Sequence, residues 1–111
     1  MRLFVYGTLL DPALLARLAG GRVVWHPAQL HGFRRVRLRG TRYPTLAPGR
    51  EKVSLAPGAV FRANGAALRR LRAYEGPRYR LTPVRPRLLD TGRAVPAFAW
   101  IAPGATRLPW P

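Results

Sequence analysis

The stretch LFVYGTLLDP, residues 3–12, sets how the rest of the chain is read. Leu3, Phe4, Val5 and Tyr6 form an unbroken apolar run. A strand that is apolar on both faces is covered on both, so residues 2–6 are predicted to form a central strand. The run stops at Gly7-Thr8. Asp11 then supplies an N-cap oxygen, and Pro12 has the preset φ of a first helical residue. ALLARLA follows as a short helix, ended by Gly20-Gly21. So abrupt a passage from strand to helix leaves backbone N–H groups without partners. Turned inward at Gly7, Thr8, Leu9 and Leu10, they would cradle an anion. Gly7 permits close approach, and Thr8 adds a hydroxyl.

Downstream, RVVW and AQLHG read as strand pieces split by Pro27. RRVRLRG alternates, with Val36 and Leu38 on one face and Arg35, Arg37 and Arg39 on the other, a half-buried strand with a basic outer face. TRYPTLAPGR is punctuated by Pro and Gly and reads as a loop, its Tyr43-Pro44-Thr45 at the mouth of any cavity. KVSL and GAVFR flank Pro57-Gly58. Asn64 caps a helix over GAALRRLRAYE, whose apolar stripe is assigned to Leu68, Leu71 and Tyr74. YRLTPVRPRLL and AVPAFAWIA are two strands joined at DTGR, with Pro83, Pro86 and Pro96 pointing to edges or bulges. Residues 103–111 read as a Pro/Trp tail. Strands mostly follow strands, so the expected fold is α+β: a small antiparallel or mixed β-barrel carrying two short helices.

The chain has 111 residues, 48% of them hydrophobic, enough for one domain with a core. A single domain over residues 1–111 is expected. No apolar run approaches the ~20 residues of a membrane span, and the N-terminal residues show no signal-peptide pattern. With no Cys, disulfides, thiol catalysis and Cys-based zinc sites are excluded. A cytoplasmic location is the expectation. The net charge is +16, from 20 Lys+Arg against 4 Asp+Glu. Such a field attracts anions. All the basic residues but Lys52 are Arg, as a GC-rich coding sequence would give, and they are spread along the chain. A nucleic-acid binder gathers them on one element with aromatics between, so nucleic acid is not the expected partner. His26 and His31 lack the Cys or carboxylate company of a metal site and read as structural or surface residues; Trp25, Trp100 and Trp110 read as core and tail packing.

The four acids narrow the chemistry. Asp11 is a cap, Asp90 opens a turn, and Glu51 follows the Pro48-Gly49 turn between Arg50 and Lys52, where it is read as solvated. Glu75 has no such structural duty. It stands at the C-terminal end of its helix, where the macrodipole opposes a carboxylate. A local rule broken without local gain points to function, unless Glu75 pairs with Arg72, Arg78 or Arg80.

FVYGTLL, YPTLAPG, GAVFRANGAALRRLRAYEG, RYRLTPV and AFAWIA, in this order from residue 3 to about 102, resemble the γ-glutamylcyclotransferase-like family, γ-glutamylamine cyclotransferase type. The most specific pieces are the hydrophobic-Tyr-Gly-Thr-Leu opening and the Leu-x-x-Tyr-Glu-Gly helix end. The resemblance implies a small mixed barrel with a cavity and an acyl transfer in which a γ-glutamyl group closes on its own α-amino nitrogen, giving 5-oxoproline and a free amine. It implies Tyr6, Gly7, Thr8 and Leu9 as holders of the α-carboxylate, Glu75 as general acid/base, Tyr79 as a cavity wall, and no cofactor or metal. Arg72 and Leu81 depart from it, standing where the family usually has Asp and Arg. The expected partner is a small γ-glutamyl molecule; the oligomeric state is not legible. The alternatives are a binding module on the same fold without catalysis, and a nucleic-acid binder using Arg35, Arg37 and Arg39.

Overall fold

The computed structural model describes residues 1–50 and 52–111, so the reading of Glu51 as solvated falls outside the described residues. Among the described residues, nine strands and two helices run in the order β1 (Arg2–Val5), a 3-10 turn (Thr8–Leu10), α1 (Pro12–Ala19), β2 (Trp25–His31), β3 (Phe33–Leu38), β4 (Pro44–Pro48), β5 (Leu55–Arg62), α2 (Gly65–Glu75), β6 (Arg80–Val84), β7 (Arg87–Leu88), β8 (Ala97–Ile101) and β9 (Ala105–Pro109).

They form two sheets, not one closed barrel. The larger has the strand order β6-β8-β1-β5-β2-β7 and the smaller β4-β3-β9. β1 pairs antiparallel with β5 and parallel with β8, so the larger sheet is mixed. It does not close because its two edges are short or Pro-bearing. β6 contains Pro83, which removes a donor, and β7 is two residues long after Pro86.

The apolar opening run is central, as its two-faced pattern requires. Leu3 and Val5 point to the helices, into a cluster with Leu9, Leu15, Phe61, Leu71 and Trp100. Phe4 and Tyr6 point the other way, into a cluster with Leu30, Val60, Ala99 and Leu46 of the second sheet. Both helix caps form as expected: the Asp11 side chain accepts from the Ala13 amide and the Asn64 side chain from the Ala67 amide.

Five segments differ from the sequence reading. YRLTPVRPRLL, read as one strand, divides at Arg85-Pro86 into β6 and β7, which lie at opposite edges of the larger sheet. β2 runs unbroken through Pro27, and β5 through Pro57-Gly58. β1 ends at Val5 opposite Ala59, so Pro57 lies past its end and interrupts no β1 bond. Gly58 is needed there, because a Cβ would fall 2.2 Å from the Val5 carbonyl oxygen. The loop predicted over 41–50 contains β4, an edge strand whose prolines sit at its two ends. The tail predicted over 103–111 contains β9, which pairs with β3. Thr106 donates to the Arg37 carbonyl at 2.7 Å, and the Trp110 amide to that of Arg35 at 3.1 Å.

Thr45 ties the sheets together. It is fully buried; its Oγ1 donates to the Ala102 carbonyl at 2.8 Å and accepts from the Ala102 amide at 3.0 Å. Thr45→Val would leave both groups unpaired, at about 1–3 kcal/mol for each. The expected result is a fall in Tm of roughly 8–25 °C, read by calorimetry; an unchanged Tm would contradict it.

Candidate active site

β1 ends where the larger sheet still continues on both sides, and a cavity of about 190 Å³ opens beyond its C-terminal end. This is smaller than the ~300–1,000 Å³ of drug-sized sites, so it suits one small group. One wall is the end of β1 and the turn that follows, from Tyr6 to Leu9. Opposite stand Glu75, Tyr74 and Tyr79, and Pro44 at the start of β4 and Tyr43 just before it complete the lining from the side of the second sheet. All six residues singled out from the sequence (Tyr6, Gly7, Thr8, Leu9, Glu75 and Tyr79) therefore border one cavity.

The turn has the form that its sequence suggested. Its first internal bond runs from the Leu10 amide to the Gly7 carbonyl at 3.0 Å, and the next from the Asp11 amide to the Thr8 carbonyl at 3.2 Å. Leu10, read as a fourth cradle amide, is thus engaged within the turn. The amides of Thr8 and Leu9 precede the first bond and have no main-chain partner among the described residues. Gly7 is fixed by close approach: a Cβ there would lie 2.7 Å from Cγ of Pro44.

Glu75 comes inward because of its helical phase. The buried stripe of α2 is Ala67 and Leu71, and Glu75 continues it at a spacing of four. The stripe assigned from the sequence ran through Tyr74, which is 41% exposed. Tyr74 instead lies along the cavity edge, its hydroxyl 2.9 Å from Thr8 Oγ1, so that α2 and the turn are joined across the opening. Burial pushes the Glu75 carboxyl up to about 7. The sequence left open whether Arg72, Arg78 or Arg80 pairs with it. Among the described residues no Arg or Lys lies within 4.0 Å of a carboxylate oxygen; the one basic side chain that does is His26, whose Nδ1 is 3.6 Å from Asp90 Oδ2 on the surface.

The two phenols are walls. Tyr6 donates to the Trp100 carbonyl and Tyr79 to the Pro44 carbonyl, the latter at 2.6 Å. Burial, and then the neighbouring Tyr79 and Glu75 charges, hold Tyr6 well above the ordinary phenol range. Burial, followed by the Glu75 charge, pushes Tyr79 up to about 12. Both respond to Glu75, which places the three groups within electrostatic reach of one another.

The alternation along β3 puts Arg35 on a basic outer face with Arg37 and Arg39. Arg37 and Arg39 are exposed, but Arg35 is half-buried. It lies 5.3 Å below the centre of the Trp110 ring and donates to the Tyr6 carbonyl at 3.2 Å. Among the described residues no group of three or more His, Cys, Asp or Glu is placed to hold a metal ion, and no helix is long and apolar enough to cross a membrane.

One small cavity thus brings together a single raised carboxyl and the open amides of a backbone turn. The sequence matches the family described as Gamma-glutamyl cyclotransferase, AIG2-like, over residues 3–109, and the chain belongs to this family. Two Arabidopsis thaliana proteins of known solution structure share the fold. One is 28% identical with a TM-score of 0.80, over 96% of this chain and 71% of its own. The other is 27% identical with a TM-score of 0.79, over 91% of this chain and 61% of its own, so the chain spans about three-fifths of that protein's length. An AIG2-like protein from Mus musculus, at 20% identity, superposes with a TM-score of 0.77 over 99% of this chain and 84% of its own. No curated protein sequence matches the chain.

Proposed function

We propose that the protein cleaves a small γ-glutamyl amide into 5-oxoproline and a free amine. The observation that carries this reading is the pairing of one inward carboxyl, Glu75, with the open amides of the Gly7–Leu9 turn across a cavity sized for a single small group. In this reading the turn grips the α-carboxylate of the substrate, leaving its α-nitrogen and γ-carbonyl towards Glu75. The α-nitrogen attacks the γ-carbonyl carbon, a C–N bond forms, and the bond to the departing amine breaks. Two protons leave the α-ammonium, and two reach the amine as it departs. Glu75 carries them, and a group with pKa near 7 is matched to both directions at neutral pH. The nucleophile is tethered to its electrophile, so much of the entropic barrier is removed by the substrate itself.

The test is product analysis in water enriched in oxygen-18. Intramolecular attack gives 5-oxoproline free of the label. Labelled glutamate would mean hydrolysis and would overturn the reading. A second expectation concerns Gly7. Pro44 is held through its carbonyl by Tyr79 and has a stiff ring, so Gly7→Ala must displace the turn or β4. Displacements of about 1 Å cost on the order of 100-fold in rate, and we expect kcat/KM to fall by 10- to 100-fold. An Ala variant with wild-type kcat/KM would show that the fit of the turn against Pro44 is not needed.

A further inference from the structure

A peptide group is planar and trans, so its C=O and N–H point in opposite directions. Fixing a carbonyl from one side therefore aims the next residue's amide to the other. There are no cis peptides among the described residues. The Tyr6 carbonyl is held by the Arg35 guanidinium at 3.2 Å. Arg35 does not border the cavity, whereas Tyr6 and Gly7 do. The Tyr6–Gly7 peptide thus turns its oxygen to Arg35, and the Gly7 N–H points to the opposite side. The next peptide is fixed in the same way by the Leu10 amide on the Gly7 carbonyl, at 3.0 Å, which aims the Thr8 N–H out of the turn. Two successive amides of the cradle are locked through the carbonyls behind them.

The guanidinium is itself held in place. The Trp110 ring covers it at 5.3 Å, the Trp110 amide donates to the Arg35 carbonyl, and the indole N–H donates to the Arg42 carbonyl at 3.0 Å. A stacked, half-buried Arg donating to a neutral carbonyl loses hydration that a surface Arg keeps, and this arrangement gives that cost a purpose.

We propose that Arg35, clamped by Trp110, is a positioning residue that sets the Tyr6–Gly7 peptide so that the Gly7 amide is aimed at the substrate carboxylate. The inference rests on the reading that this turn grips a carboxylate. It gives the C-terminal segment a part in ligand binding that neither Glu75 nor the cavity wall requires.

The test uses the full-length protein labelled with nitrogen-15 and titrated with 5-oxoproline. In the wild type the Gly7 amide resonance is expected to shift with saturation. Arg35→Met keeps much of the aliphatic stem and loses the donor. It is expected to raise Kd on the order of tenfold, the worth of one charge-assisted bond, and to abolish the Gly7 shift. Arg35→Lys retains a donor within reach and is expected to restore most of both. Trp110→Leu, which uncovers the guanidinium, is expected to raise Kd by a few-fold and reports on the clamp even where Arg35→Met does not fold. Unchanged Kd and Gly7 shift in folded Arg35→Met would overturn the inference, as would a Gly7 amide silent in the wild type. Arg35-dependent binding without 5-oxoproline release from any γ-glutamyl amide would sink the proposed reaction and leave the inference standing.

Discussion

Glu75→Gln is expected to lower kcat for 5-oxoproline release by 10²- to 10⁴-fold, the usual worth of a positioned general acid/base, with the fold intact. Gln has the size of Glu and can neither accept nor return the protons at issue. The other groups at the cavity do not replace it, since the phenol protons of Tyr6 and Tyr79 are committed to main-chain carbonyls. The wild-type pH profile supplies the matching signature. A base must be ionised to take a proton from the α-ammonium, so kcat/KM should fall tenfold per unit as pH drops below about 7, the pKa to which burial raises Glu75. A profile breaking near 4.5 would mean that the carboxyl is solvated when it works.

The second large effect concerns stability, and the same substitution should improve it, but only above neutral pH. The Glu75 pKa is raised on folding from 4.5 to about 7. The folded state therefore holds this proton more tightly than the unfolded chain. The favourable contribution of the protonated group is fully present below pH 4.5 and is lost as pH rises through 7. At pH 8 the ionised carboxylate costs the fold about 3 kcal/mol at most, and solvent reaching the half-buried group trims this to roughly 1–3 kcal/mol. Urea unfolding of Glu75→Gln against the wild type should show that gain at pH 8 and almost none at pH 4. Equal differences at the two pH values would show that packing, not ionisation, separates the variants. Under the proposed reaction, Glu75 would weaken its own fold at the pH where it acts, the trade of stability for activity expected of a catalytic group.

Local rules carried a good part of this molecule. The apolar run at residues 3–6 could only be a covered central strand, and both caps, Asp11 and Asn64, form the bonds their side chains are suited to. Glu75 stands out in the sequence because it breaks a rule at a helix end, and in the fold it borders the cavity. What was not legible depended on distant partners. Prolines read as loop markers belong to β4, where an edge position tolerates them. Alternation along β3 puts Arg35 on the same face as Arg37. Its burial comes from Trp110, 75 residues later in the chain, and from Tyr6 behind it. The stripe of α2 was drawn through Tyr74 because three apolar side chains fit a spacing of three. The spacing of four through Ala67 and Leu71 is the buried one, and it leads to Glu75. That a single barrel gives way to two sheets depends on where pairing stops, and short, Pro-bearing edges are visible only once the strands are ordered.

The most direct test of the account is the release of 5-oxoproline from a panel of γ-glutamyl amides, with wild type and Glu75→Gln measured side by side at pH 7.5. The account predicts release by the wild type with an equal yield of amine, and a loss of at least 100-fold in the variant. Undiminished release by Glu75→Gln, or no release by the wild type from any member of the panel, would contradict it.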